Sequence, residues 1–161
     1  MRFFIFVFLF VATATAFADD ASQNPHNNAL PDNGVISIAS PYSVELTAAR
    51  LEKVLREKGM TVFRRVDHSA GARAVDLKLR PTVLMIFGNP KVGTGLMQCA
   101  QTAAIDLPQK ALIWQDKDDK VWLSYNDVRY IASRHGISDC NIVLNKISKA
   151  LAAFADATVA P

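Results

Sequence analysis

The sequence reads as a single α+β domain, and three features of its apolar pattern support that class. Val44, Ala48, Leu51 and Leu55 recur at the spacing of one helix face. Val83 to Phe87 is an unbroken apolar run, the pattern of a strand covered on both faces. Ala111 to Trp114 and Val121 to Tyr125 are two more β-favouring segments, joined by the polar run Gln115 to Lys120 as a hairpin is.

Ahead of the domain, Arg2 and the apolar run Phe3 to Ala12 lead into Ala16-Phe17-Ala18 and then Asp19-Asp20, the form of a cleaved secretory signal. The apolar run is far shorter than the ~20 residues a spanning helix needs. A periplasmic or secreted protein is expected, with residues 1–18 removed and no stable membrane span left. Residues 19–34 are rich in Asn, Asp, Ser and Pro without hydrophobic period, and are expected to form a flexible leader. The domain is placed at 35–155, with residues 156–161 frayed.

Within the domain, Val35 to Ala39 is a candidate first strand. Ser40-Pro41 then has the form of a helix start, Ser as N-cap and Pro at N1, and Gly59 that of its end. Met60 to Val66 reads as a strand paired with the first. Asp67-His68-Ser69 caps a short helix, and the central strand Val83 to Phe87 follows Pro81. Thr94 is read as the cap of a helix carrying Leu96, Met97, Ala100, Ala103 and Ala104. Leu107-Pro108 returns the chain to extended form. Asn126 or Asp127 caps a short helix closed by Gly136. Ser138 or Asp139 caps the last, whose stripe is Cys140, Val143, Leu144, Ile147, Leu151 and Phe154. The expected core holds Leu51, Leu55, Val83, Leu84, Ile86, Leu112, Trp114, Ile147 and Leu151.

Composition removes several function classes. The net charge of +3, which loss of Arg2 lowers by one, comes from interspersed charges. Arg64-Arg65 stands without an aromatic-interleaved basic stripe, so no nucleic-acid partner is expected. Asp116, Asp118 and Asp119 lack the glycine and glutamate of a calcium loop and read as a solvated turn. Cys99 and Cys140 are too far apart for a CxxC site. In an exported chain a disulfide is the default for them, with two buried thiols as the alternative. No GxSxG elbow or papain-like cysteine context is present, no two histidines share i, i+4 spacing, and neither cofactor nor metal is expected.

The stretch Pro81 to Met97, PTVLMIFGNPKVGTGLM, organises the rest. A strand ends at a Gly-Asn-Pro corner, and a glycine-punctuated segment feeds the next helix. Gly88 and Gly93 have the spacing of a phosphate-binding loop, but Thr94 and Gly95 follow where lysine and a hydroxyl residue are required. Nucleotide hydrolysis is excluded by that missing lysine. Backbone amides at such a corner still attract anionic or hydrogen-bond-accepting groups.

FGNPKVGTGLMQ, DLPQKALIW and KVWLSYNDVRYIASRHG, with MTVFRRVDHSAGA before them, resemble the DUF302 family from about Val35 to Phe154. That resemblance implies an α+β domain of TBP-like arrangement: a helix after the first strand, a mostly antiparallel sheet, and a long C-terminal helix on its face. It implies no activity, and the cysteine pair is not part of it. The polar residues of the matching blocks include Gln98, Asn126 and His135, and supply the ligand-binding candidates His68, Asn89, Lys91, Thr94, Lys110 and Tyr125. The expected function is an exported binding module that uses the Gly88–Gly95 segment to hold a small polar or anionic molecule, or a protein partner. The alternatives are an enzyme with a His68/Lys110/Tyr125 pocket and a homodimeric interaction domain.

Overall fold

The computed structural model describes residues 33–161. The expected signal sequence and nearly all of the expected leader lie outside the described residues. Five strands form one antiparallel sheet: β1 (Val35–Ser40), β2 (Thr61–Asp67), β3 (Thr82–Gly88), β4 (Gln109–Gln115) and β5 (Val121–Asn126). Their order across the sheet is β1-β5-β4-β3-β2. The helices are α1 (Val44–Glu57), α2 (His68–Arg73), α3 (Pro90–Cys99), α4 (Val128–Arg134) and α5 (Asn141–Val159), with a 3-10 turn at Gln101–Asp106.

The expected pairing of the first two strands is overturned. β1 and β2 are the opposite edges of the sheet, and each pairs with one neighbour, β5 and β3 respectively. The amphipathic helix α1 explains this. Its apolar stripe Val44, Ala48, Leu51 and Leu55 is buried, so α1 must lie across the sheet face, and it carries the chain from one edge to the other.

The reading of β3 as covered on both faces is corrected as well. Val83, Met85 and Phe87 are buried, whereas Leu84 and Ile86 are only half-buried. Leu112 and Trp114 of β4 share that open face, because Leu84 pairs with Leu112 and Thr82 with Trp114. Both helices that cover the sheet, α1 and α5, lie on the Met85 side. The other face carries its apolar side chains beside polar ones: Trp114 Nε1 donates to Ser124 Oγ at 2.9 Å, and Ser124 Oγ lies 2.7 Å from Ser37 Oγ. Four residues of the expected core thus belong to the uncovered face. The true core centres on Leu51, Leu55, Met85, Phe87, Leu96, Ile113, Leu123 and Ile131.

Helix starts depart from the expected caps at α1 and α5 and keep them at α2 and α4. Ser43, not Ser40, caps α1, its side chain accepting from Leu46 N. Ser40 ends β1, and its hydroxyl lies 2.7 Å from that of Thr47. Gly59 follows the helix at φ +72°, as expected of its terminating glycine. Asp67 caps α2 and Asp127 caps α4. Neither Ser138 nor Asp139 caps α5; the N-cap position is Cys140, without a side-chain cap. That helix continues to Val159, past residue 155 where the domain was expected to end. Arg50 of α1 holds its far end, donating from Nε to Thr158 O at 2.7 Å while its guanidinium stacks 4.3 Å from the Tyr42 ring centroid.

One-sided covering has a measurable consequence. Met85→Ala empties a fully buried position and is expected to cost about 2–5 kcal/mol. Leu84→Ala, one residue along on the open face, is expected to cost less than half as much in the same denaturant titration. Equal losses would contradict the one-sided sheet.

Candidate functional site

Three chain segments reach the same end of the sheet: Gly88 closes β3, Gln109 opens β4 and Thr61 opens β2. The registers Thr61–Gly88 and Phe87–Gln109 place them side by side. Beyond that end, Asn89 turns the chain and caps α3. Its Oδ1 accepts from Lys91 N at 3.0 Å, and its Nδ2 donates to Gly59 O at 3.1 Å. Pro90 occupies the first turn of the helix, where its missing N–H costs nothing. The helix therefore starts four residues before Thr94, the cap expected from sequence. What looked like a glycine loop is a strand end followed directly by a helix.

Between α3, the 3-10 turn, the middle of α5 and this sheet end lies a cavity of about 310 Å³. Its wall is almost wholly apolar. Met60 and Phe63 come from the β2 side, Val92 and Met97 from α3, Leu107 from the turn, and Ile147, Ala150, Leu151 and Phe154 from α5. Small residues keep it open: Gly88, Gly93, Ala104 and Ala150 all border it. A side chain on Gly88 would press on Phe63, since a Cβ there would sit 3.3 Å from the Phe63 ring. The polar members are Asn89, Gln109 and Lys146.

The candidates named from sequence do not converge. Asn89 borders the cavity, but its amide is spent on the turn. Lys91 and Thr94 are exposed positions of α3. Lys110 pairs with Ile86 on the open face, and its Nζ donates to the carbonyls of Asp106 and Pro108 at 2.8 and 3.0 Å. His68 opens α2 at the other end of β3, next to the Asp67–Val83 pair, and is exposed. Beside it, the Ser69 hydroxyl and the Ala70 amide hold the Asp67 carboxyl below its ordinary value. Tyr125 points to the covered face, opposite Ala111. Burial, reinforced by the nearby Asp156 and Asp127 carboxylates, pushes its phenol up to about 12, so it is neutral near pH 7 and no base. A His68/Lys110/Tyr125 pocket is thus divided between two sheet faces and two sheet ends.

A different polar chain went unread in the sequence. His135 Nε2 lies 2.7 Å from Asp106 Oδ2, and His135 Nδ1 lies 3.0 Å from Thr102 Oγ1. The order hydroxyl, imidazole, carboxylate has the form of a nucleophile and its base. None of the three residues borders the cavity, and Arg134 Nη1 takes the other carboxylate oxygen at 2.9 Å. The arrangement latches the end of α4 to the 3-10 turn. Among the described residues no group of three or more His, Cys, Asp or Glu is placed to hold a metal ion.

Cys99 and Cys140 are joined by a disulfide, with their Cα atoms 6.3 Å apart. The bond ties the last residue of α3 to the residue that opens α5. Both helices are cavity walls, so the covalent link fixes the spacing between them.

The fold and cavity define a class: a one-sided α+β domain with a small apolar chamber where the sheet meets its C-terminal helix. Comparison with known proteins places it in a family. Residues 36–154 match the family described as "Domain of unknown function DUF302", and the chain belongs to that family. The crystal structure of an uncharacterized conserved DUF302 protein from Bacillus stearothermophilus has the same fold. Its TM-score is 0.71 at 17% identity, covering 78% of this chain and 98% of that one. The chain is also 44% identical over 120 residues to a protein of Brucella suis named fluoride-specific ion channel FluC 1. A protein of Brucella melitensis named fluoride-specific ion channel FluC 2 is equally similar. These matches cover 74% of this chain but only 47% and 44% of those proteins, so the chain spans less than half of their length.

Two outcomes check this description of the site. Reduction of Cys99–Cys140, or Cys140→Ser, is expected to lower stability by up to about 4 kcal/mol on the chain-entropy model, read by denaturant titration with and without reductant. An unchanged midpoint would mean that the bond does not constrain the helices. For Tyr125, the folded state favours the neutral phenol, so its contribution to stability is complete below about pH 10 and is lost as pH rises toward 12. Tyr125→Phe is expected to flatten the alkaline limb of stability over that window. An identical limb in the variant would contradict burial of the phenol.

Proposed function

We propose that this domain is a binding module for a small, mainly apolar molecule held in the chamber between α3, α5 and the Gly88 end of the sheet. The cavity itself carries the reading. At about 310 Å³ it lies at the lower end of the range for small-molecule sites, roughly 300–1,000 Å³, and its apolar wall with a few polar groups is the usual composition of such sites. Its position keeps part of the expectation drawn from sequence, since Gly88, Asn89 and Gly93 border it. The ligand class changes from polar or anionic to apolar. Lys91 and Thr94 stand outside the chamber, and the Lys91 amide at the head of α3 is already bonded to Asn89.

An exported location is part of the proposal. It rests on the N-terminal signal pattern and is supported by the disulfide, which persists in oxidising compartments. Channel activity, which the names of the Brucella proteins state for them, is not extended to this domain. The match covers less than half of those proteins, and among the described residues no helix is long and apolar enough to cross a membrane.

The test fills the chamber. Ala150→Phe places a ring in it, while Ala153→Phe adds the same ring at an exposed position of α5. Titration with the neutral fluorescent probe N-phenyl-1-naphthylamine is expected to show binding to the wild type and to Ala153→Phe. Ala150→Phe is expected to lose at least about tenfold in affinity, or 1.4 kcal/mol. Equal binding by all three would place the probe elsewhere and overturn the reading.

A further inference from the structure

We propose that Gln109 is the receptor for the ligand's head group, and that this head group both donates and accepts a hydrogen bond, as a carboxamide or lactam does. The inference rests on the chamber being the binding site. Gln109 is 7% exposed, and both its Nε2 donor and its Oε1 acceptor are without a hydrogen-bond partner. They are the only side-chain polar atoms so placed among the described residues. Buried polar groups are paired in the great majority of folded structures, and an orphan asks for a partner.

The surroundings explain why the protein supplies none. Gln109 faces the covered side of the sheet opposite Phe87, among Leu107, Leu151 and Phe154 on the chamber wall. The neighbouring Lys110 turns its ammonium to the Asp106 and Pro108 carbonyls, and the Asn89 amide is committed to Gly59 and Lys91. The only other polar side chain of the wall is Lys146, at an exposed position of α5. A molecule entering the chamber therefore meets apolar surface and one buried primary amide without a partner, with Lys146 as the charged group of the wall.

The chemistry of that amide selects the ligand class. It offers one carbonyl and an NH₂ group side by side. A carboxamide or lactam presents the complementary N–H and C=O and closes a ring of two hydrogen bonds. An ester accepts only and leaves Oε1 unpaired. An ionised carboxylate sets a negative oxygen against Oε1. The Gln109 amide is shielded from water where it stands, so it meets the head group by turning about its side-chain torsions, the last of which is broad for glutamine.

The test compares octanamide, methyl octanoate and octanoate at neutral pH by calorimetric titration of the wild type, Gln109→Leu and Lys146→Ala. The wild type is expected to bind octanamide about tenfold more tightly than methyl octanoate, the scale of one net hydrogen bond. Gln109→Leu is expected to abolish that preference while leaving ester binding unchanged or improved. Its melting temperature is expected to be the same or higher, because an unpartnered polar group has been removed; if it fails to fold, Gln109→Met makes the same comparison. A wild type that binds amide and ester alike, or a Gln109 variant that keeps the preference, overturns the inference. So does tightest binding of octanoate lost in Lys146→Ala, which puts the head group at the rim. Failure of all three probes, together with failure of the neutral fluorescent probe, removes the chamber as a binding site and the inference with it.

Discussion

The packing of α5 across one face of the sheet is the constraint on which the rest depends. An antiparallel sheet needs one face covered to make a core, and here α1 and α5 supply the cover while the other face remains open. Leu144, Ile147, Leu151 and Phe154 keep α5 in place along its length. Its ends are held differently: the far end by Arg50 and Tyr42, the near end by the disulfide to α3. Between those clamps the helix passes the Gly88 end of the sheet, where Gly88, Gly93 and Ala104 stand among the larger side chains of the facing wall and Ala150 on the helix itself. The chamber is the space they leave.

Much of the architecture was legible because it is written in period and punctuation. The stripes of α1 and α5, the glycine after α1, the hairpin of β4 and β5, and the caps Asp67 and Asp127 all follow from local chemistry. Long-range features were not. Nothing in Met60 to Val66 says that its partner is β3 rather than β1, because pairing is decided by where α1 deposits the chain. Nothing in an apolar run distinguishes a strand covered twice from one covered once. Leu84 and Met85 are both apolar, yet Met85 is fully buried and Leu84 is not.

The site shows the same limit more sharply. The Gly88–Asn89–Pro90 corner stood out because glycine, asparagine and proline each have a stated backbone role, and the chamber does border it. Strand parity puts Gln109 on the chamber wall and Lys110 on the opposite face. Lys110 alternates with Leu112 and Trp114, Gln109 with Ala111 and Ile113, and both sets are apolar. Sequence alone gave no reason to prefer one phase. Burial settles it: Gln109 lies under α5 without a partner, and Lys110 lies on the open face with its charge satisfied by carbonyls. The Thr102–His135–Asp106 chain joins residues from separate segments and had no local signature at all.

The central claim is that a small molecule binds inside the chamber and not on the open sheet face. Methyl-resolved NMR during ligand titration addresses it most directly, because both surfaces carry methyl groups. The account predicts saturable shifts at Met60, Met97, Leu107, Ile147 and Leu151, which border the chamber, while Leu84, Ile86 and Leu112 stay unmoved. Shifts concentrated at Leu84, Ile86 and Leu112, with the chamber methyls silent, would contradict it.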